Sequence, residues 1–213
     1  AFMNSEFGKY LEKFNITSLN KMQEETIESI NNNKDTLVLS PTGSGKTLAF
    51  LLPLLKLAKK NLEQTQVLIL TPTRELTIQV EKVFKQMQTG MKINSSYGGH
   101  SVHVEKNNFI NPPIVLVGTP GRILDHMNRK SFNWNCITTL IVDEFDKCLE
   151  LGFTNEMVKI IRQLDLNKTV LTSATDIYKL PKFTKIKDPV RIDYLNESSE
   201  SKELSNLELR SVY

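Results

Sequence analysis

Cysteine is scarce in this chain: Cys136 and Cys148 are the only two in 213 residues, and no CxxC pair occurs. Two cysteines cannot build a disulfide framework and read as free thiols in a reducing compartment. No apolar run approaches the ~18 residues needed to span a bilayer. The first residues, Ala1-Phe2-Met3-Asn4, lack the basic-then-apolar pattern of a secretory leader. These absences point to a cytoplasmic protein with no membrane partner. Charge of either sign is not in excess: 27 Lys and Arg against 24 Asp and Glu leave +3. So small a net charge names no partner, and any nucleic-acid surface must come from local placement. Repeats at solenoid spacing are missing as well.

The residues that are present can make a core. Hydrophobic residues are 39% and charged residues 24%, too balanced for a chain disordered throughout. Short apolar runs alternate with helical patterns. Thr36–Leu39 reads as a strand and Thr47–Lys59 as a helix. Val67–Leu70 is the next strand and Glu75–Gln88 the next helix. Ile114–Val117 precedes a helix over Gly121–Asn128, and Leu140–Val142 precedes one over Glu144–Leu151. A helix over Asn155–Leu164 leads to a strand at Thr169–Leu171. A further helix, Asn20–Asn33, stands before the first strand. Continuous β-branched runs suggest strands buried on both faces. The alternation implies an α/β domain with a mostly parallel central sheet and helices on both faces. The Ser- and Glu-rich stretch from Asn196 reads as a linker, giving a domain over 1–195 and a linker over 196–213.

Ser40-Pro41-Thr42-Gly43-Ser44-Gly45-Lys46-Thr47 follows the first strand and opens a helix, the context of a phosphate-binding loop. Glycines free successive backbone N–H groups to form a nest for phosphate oxygens, and the helix N-terminus adds a favourable dipole. Lys46 can reach the β- and γ-phosphates, and the Thr47 hydroxyl can ligate Mg²⁺. The usual pattern starts with Gly where this chain has Ser40. A second element, Leu140-Ile141-Val142-Asp143-Glu144-Phe145-Asp146, delivers Asp143 to the C-terminal edge of the sheet, where ligands bind in open α/β folds. Asp143 is suited to hold Mg²⁺, and Glu144 to orient and deprotonate a water. Alone, an acidic cluster after a strand is a helix N-terminus favoured by its dipole. Paired with the phosphate loop, it reads as a nucleoside triphosphatase site.

Further motifs follow in fixed order: Pro72-Thr73-Arg74-Glu75-Leu76, Gly98-Gly99, Thr119-Pro120-Gly121-Arg122 and Ser173-Ala174-Thr175, with Gln23 upstream of the phosphate loop. Over about residues 7–195 the set resembles the amino-terminal RecA-like domain of a DEAD-box RNA helicase, with DEFD as its signature tetrapeptide. The resemblance implies an ATP-dependent RNA helicase whose cofactors are ATP and Mg²⁺. It implies that Gln23 reads the adenine edge, that Ile16 covers the adenine face where the family has an aromatic, and that Ser18 contributes through its backbone. Thr42, Gly43, Ser44, Gly45, Lys46 and Thr47 would hold the nucleotide, with Thr47 and Asp143 on the metal and Lys46, Asp143 and Glu144 catalytic. Asp146 would contact Ser173 and Thr175, linking the ATP and RNA sites. Phe145 must find space where the family has Ala, so local packing should differ.

On the RNA side the resemblance implies backbone contacts from Thr73, Arg74, Gly99, Thr119, Gly121 and Arg122. Threonine hydroxyls, guanidiniums and helix N-termini all suit phosphate and read no base, so binding should be sequence-independent and salt-sensitive. The competing role for Arg74 is an ion pair with Glu75 or a nearby acid. His100, His103 and His126 lack metal-ligand spacing. Phe132 and Trp134 read as packing anchors, and the lysines from Lys179 to Lys187 as a solvated face. A full enzyme of this kind has a second RecA-like domain, whose arginines are worth about 10³–10⁵ in rate in related systems. The single domain, expected to be monomeric, should turn over little ATP. The rival readings are a nucleic-acid-binding interaction module with a vestigial ATPase and a DNA-directed helicase of the same superfamily.

Overall fold

The computed structural model describes residues 2–196, with side chains from Glu6 onward. The expected linker therefore lies outside the described residues, apart from Asn196. The chain runs α1 (Phe2–Leu11), α2 (Lys21–Asn32), β1 (Asp35–Leu39), α3 (Lys46–Leu51), α4 (Leu54–Leu57), β2 (Val67–Leu70), α5 (Arg74–Met87), β3 (Ile93–Ser96) and α6 (Val102–Asn108). It continues with β4 (Val115–Gly118), α7 (Pro120–Asn128), β5 (Thr139–Val142), α8 (Phe145–Glu150), α9 (Thr154–Arg162), β6 (Lys168–Ser173) and β7 (Val190–Asp193). Seven strands form one sheet in the order β3-β4-β2-β5-β6-β1-β7. Every pairing is parallel. The α/β expectation holds, and the sheet is parallel throughout its described strands.

Period-2 alternation divides the apolar strand residues between two cores. Val67 and Ile69 of β2 join Val117, Ile141 and Val170 under α2, α3 and α5, beside Phe50 and Phe84. Leu68 and Leu70 face the other way, with Leu39, Leu140 and Val142, onto Ile123, Met127, Met157 and Ile160. Burying each such side chain is worth roughly 1.5–3 kcal/mol, which is why both faces must be covered. The single helix expected over 47–59 is two helices. Pro53 interrupts it: Pro lacks the N–H that would continue the ladder, so α3 ends at Leu51 and α4 restarts at Leu54. Four elements had no apolar run to announce them with bounds: α1, α6, β7 and the polar β3, Ile93-Asn94-Ser95-Ser96. Among the described residues no helix is long and apolar enough to cross a membrane.

A parallel sheet puts every strand's C-terminal end on one edge. The phosphate loop follows β1, the PTREL segment β2, Gly98-Gly99 β3, the TPGR segment β4, DEFD β5 and the SAT segment β6. Six motifs scattered between Ser40 and Thr175 thus face one another across a single edge.

Candidate functional site

Asn20 caps α2 and builds a reciprocal box: its side chain accepts from the Gln23 N–H at 2.8 Å, while the Gln23 carbonyl oxygen accepts from the Asn20 N–H at 2.9 Å. The same two side chains grip the phosphate loop. Asn20 Nδ2 donates to the Ser44 carbonyl at 3.1 Å, and Gln23 Nε2 donates to the Gly45 carbonyl at 3.2 Å. Gly45 has φ +88°, and a Cβ there would lie 2.4 Å from Gln23 Nε2. Only glycine fits, for both conformation and space. Gln23 is buried, and its amide retains one N–H and one lone pair beyond these bonds. Asn15 adopts φ 56°, a left-handed conformation that Asn tolerates. Ile16 is half-buried against the core, and Ser18 is exposed. Asn20 carries a capping-box signal in the sequence, Asn-x-x-Gln.

Beyond the box, a cleft of about 310 Å³ is lined by Thr42, Lys46, Thr47, Asp143, Glu144 and Phe14. Thr42 and Gly43 stand exposed on the crest of the loop. Ser44 accepts a 2.7 Å hydrogen bond from Ser40, the residue in the usual glycine's place. Lys46 is buried, and its ammonium donates to the Ser40 carbonyl at 2.5 Å. Burial holds Lys46 below the ordinary lysine range, against the pull of Asp143, Glu144 and Asp146.

Asp143 is 3% exposed. Burial pushes its carboxyl up to about 6, although the Thr172 hydroxyl and the Lys46 charge oppose the shift. Thr172 Oγ1 donates to Asp143 Oδ1 at 2.6 Å and accepts from the Glu144 N–H at 3.0 Å. Thr172 stands on β6, the neighbour of β5, and only sheet order reveals it. Glu144 itself has φ 49° and ψ 55°. A left-handed non-glycine residue costs about 1–3 kcal/mol and is concentrated at functional sites. A buried carboxylate displaced towards neutrality, a threonine hydroxyl in the same cleft and a nest of loop amides form a donor set suited to a hard divalent cation carrying phosphate.

Phe145 is fully buried, packing in the second core with its ring centroid 6.2 Å from that of Phe183. The larger side chain is absorbed away from the cleft. Asp146 Oδ2 accepts from Thr175 Oγ1 at 3.0 Å, and the Ser173 hydroxyl donates to the Thr175 carbonyl at 2.6 Å. The DEFD and SAT segments are therefore in direct contact.

The remaining motifs converge on the β3 side of the edge. Thr73 caps α5, accepting from the Leu76 N–H at 3.2 Å. Arg74 is exposed and lies over the Tyr97 ring, 5.1 Å from its centroid, rather than pairing with Glu75. Gly99 has φ +86° beside the Arg74 guanidinium. Thr119 precedes Pro120 at the start of α7 and makes no side-chain cap, and Gly121 is exposed in the first turn. Arg122 turns inward instead. Its side chain is 14% exposed and ion-paired with Glu105 at 3.0 Å. His100 and His126 also bind Glu105, and among the described residues no group of three His, Cys, Asp or Glu is placed to hold a metal.

The DEAD/DEAH box helicase family matches residues 20–182. The Escherichia coli (strain K12) ATP-dependent RNA helicase DeaD is 38% identical over 158 residues, covering 72% of this chain and 25% of that protein. The Drosophila melanogaster ATP-dependent RNA helicase DDX47 is 37% identical over 183 residues, covering 83% of this chain and 36% of that protein. Among solved structures, a DEAD box protein from the hyperthermophile Methanococcus jannaschii superposes with a TM-score of 0.76 at 33% identity, over 83% of this chain and 50% of that one. The chain thus spans about a quarter to a third of these curated relatives. Its motif order along one sheet edge and these likenesses agree: the chain belongs to the DEAD/DEAH box helicase family, as its amino-terminal RecA-like domain.

Proposed function

We propose that this chain is the ATP- and RNA-binding first domain of an ATP-dependent RNA helicase, covering residues 1–195 and continuing through a linker at 196–213 into a second RecA-like domain. The full protein, acting as a monomer, hydrolyses ATP to unwind or remodel short RNA duplexes. The observation that carries this reading is the single cleft in which Lys46, Thr47, Asp143 and Glu144 meet the glycine loop. A vestigial site would have no reason to keep a buried lysine beside a buried aspartate, each shifted towards its neutral form.

Loop amides and Lys46 cradle the phosphates, and Lys46 exchanges the Ser40 carbonyl for a phosphate oxygen. Thr47 and Asp143 would hold Mg²⁺, which supplies positive charge against the phosphate oxygens. Glu144 orients the attacking water and accepts its proton, its carboxylate aimed by the left-handed backbone. Gln23 offers its remaining N–H and lone pair to adenine, a donor–acceptor pair matching that edge. Asp146 and Thr175 carry the state of the cleft to the SAT segment. On the RNA side Arg74, Gly99, Thr73, Thr119 and Gly121 present cationic, amide and hydroxyl groups to phosphate.

Calorimetry and turnover assays test this reading. The 213-residue chain should bind ATP with Mg²⁺, and Lys46→Ala should abolish binding. In the full-length protein, Glu144→Gln should keep ATP affinity and reduce hydrolysis by at least about 10²-fold. Undiminished hydrolysis removes Glu144 from the base role, and no ATP binding by the wild type leaves only an interaction module. Competition between single-stranded RNA and DNA separates the RNA helicase from a DNA-directed one.

A further inference from the structure

Helix α6 has one buried residue, and that residue is a glutamate, Glu105. Apart from Phe109, which caps its C-terminal end and stacks on Phe132, the helix is held to its domain by that carboxylate. Glu105 Oε1 is 2.8 Å from His126 Nε2 and 3.0 Å from Arg122 Nε, both on α7. Glu105 Oε2 is 2.9 Å from His100 Nδ1 and accepts from the Tyr97 N–H at 3.3 Å, both in the loop after β3. Three hydrogen bonds and the Arg122 charge meet the two oxygens, so the carboxylate is held from both sides. Burial pushes the Glu105 carboxyl up, but the His126 and His100 hydrogen bonds and the Arg122 charge outweigh it and hold it below its usual range.

Arg122 extends the brace. Its Nε also donates to the Tyr97 carbonyl at 3.2 Å, and Nη2 donates to the His100 carbonyl. Both ends of the Gly98-Gly99 turn are therefore fixed from below by Glu105 and Arg122. The exposed faces above are Gly98, Gly99 and Arg74, whose guanidinium rests on the Tyr97 ring, itself stacked on His100 at 5.2 Å.

The geometry points to Glu105 as a positioning residue for RNA binding, acting with Arg122 to set the shape of the 97–100 loop, and to Arg122 as an inward brace rather than a phosphate ligand. This rests on the RNA side of the function proposed above. A guanidinium neutralised by a buried carboxylate releases few counterions from RNA, whereas Arg74, free of an acidic partner among the described residues, releases its full share.

The test measures binding of an oligouridylate to the 213-residue chain by fluorescence anisotropy across a salt series, with amide hydrogen exchange of residues 97–100 and ATP affinity in parallel. Arg74→Gln should lower the magnitude of the log–log salt slope by about 0.7, the increment for one phosphate contact on a single strand. Arg122→Gln should weaken binding several-fold with that slope unchanged. Glu105→Ala should accelerate exchange of the loop amides by roughly tenfold and weaken RNA binding while ATP affinity stays at the wild-type value. Glu105→Gln, which keeps an acceptor for Arg122 and His126 and a donor for His100 but loses the acceptor for the Tyr97 N–H, should restore both in part. If Arg122→Gln lowers the slope by the full increment, Arg122 is a phosphate ligand and the inference is wrong. Unchanged loop exchange in folded Glu105→Ala also overturns it. Should Glu105→Ala not fold, the Arg122→Gln slope and the Glu105→Gln exchange decide. If wild type binds no RNA, the RNA reading above falls, while loop exchange in the same variants still decides whether Glu105 positions the loop.

Discussion

Two cations, Lys46 and Arg122, stand at one sheet edge and are treated in opposite ways. Lys46 is buried against a backbone carbonyl, and the carboxylate that acts on it most strongly, Asp143, is itself pushed towards neutrality. Arg122 is ion-paired with a carboxylate that also binds Tyr97, His100 and His126. The nucleotide cleft holds its charges under-satisfied and keeps Glu144 in a strained backbone conformation. The loop corner pairs its charges with one another, although His126 Nδ1 is buried without a hydrogen-bond partner. A site that must exchange partners with a substrate keeps its polar groups exchangeable, at a cost to stability, whereas a site that presents a fixed backbone surface spends its charges internally. Mutations should therefore move stability in opposite directions in the two regions.

The largest effect belongs to the corner. Glu105→Ala leaves Arg122 and His126 without their buried partner and should destabilise the domain by about 3–5 kcal/mol in urea unfolding, with the m-value retained. A loss below about 1 kcal/mol would mean the cluster is solvated and the contrast with the cleft is false.

The cleft should respond with the other sign. Asp143 titrates near 6 in the fold against an ordinary value of 3.8. Between those values the native state binds more protons than the unfolded chain, so the slope of stability with pH is negative there. The group's cost is absent below pH 4, grows as pH rises through 6, and is complete above it, at about 1–3 kcal/mol. Asp143→Asn should remove that slope and stabilise the domain by a similar amount at pH 7, while Mg²⁺-dependent ATP binding is lost. Chemical denaturation of both proteins from pH 4 to 7 checks it. Destabilisation by Asn at pH 7 would show that the Thr172 and Lys46 contacts outweigh burial.

The same contrast explains what the sequence could disclose. The cleft was legible because its residues are contiguous: a glycine loop after Thr36–Leu39, an acidic tetrapeptide after Leu140–Val142. The buried strands were legible because continuous β-branched runs need both faces covered. Asn20 carried a readable capping signal. Thr172 carried none, because its role comes from β6 lying beside β5. The corner was illegible for the same reason. Glu105, Arg122 and His126 sit on two helices whose packing no periodicity encodes, and no spacing shows that Arg122 turns inward onto Glu105. Polar β3 and the Pro53 break show the same limit locally, where tertiary burial and a missing N–H override the pattern.

The smallest expected effect on stability lies at the contact between the DEFD and SAT segments. Thr175 is exposed, and its hydroxyl donates one 3.0 Å hydrogen bond to Asp146. Thr175→Val removes that bond and leaves neither group buried, so the loss should be at most about 1 kcal/mol, a fall in Tm of roughly 2–4 °C. The functional effect should be disproportionate. If Asp146 reports the state of the nucleotide cleft to the SAT segment, the full-length variant should bind ATP and RNA separately as wild type does, yet lose several-fold of its RNA-stimulated hydrolysis. Full stimulation would mean that the exchangeable cleft and the fixed corner communicate by another route. A matching fall in basal hydrolysis would instead place Thr175 within the cleft's own chemistry.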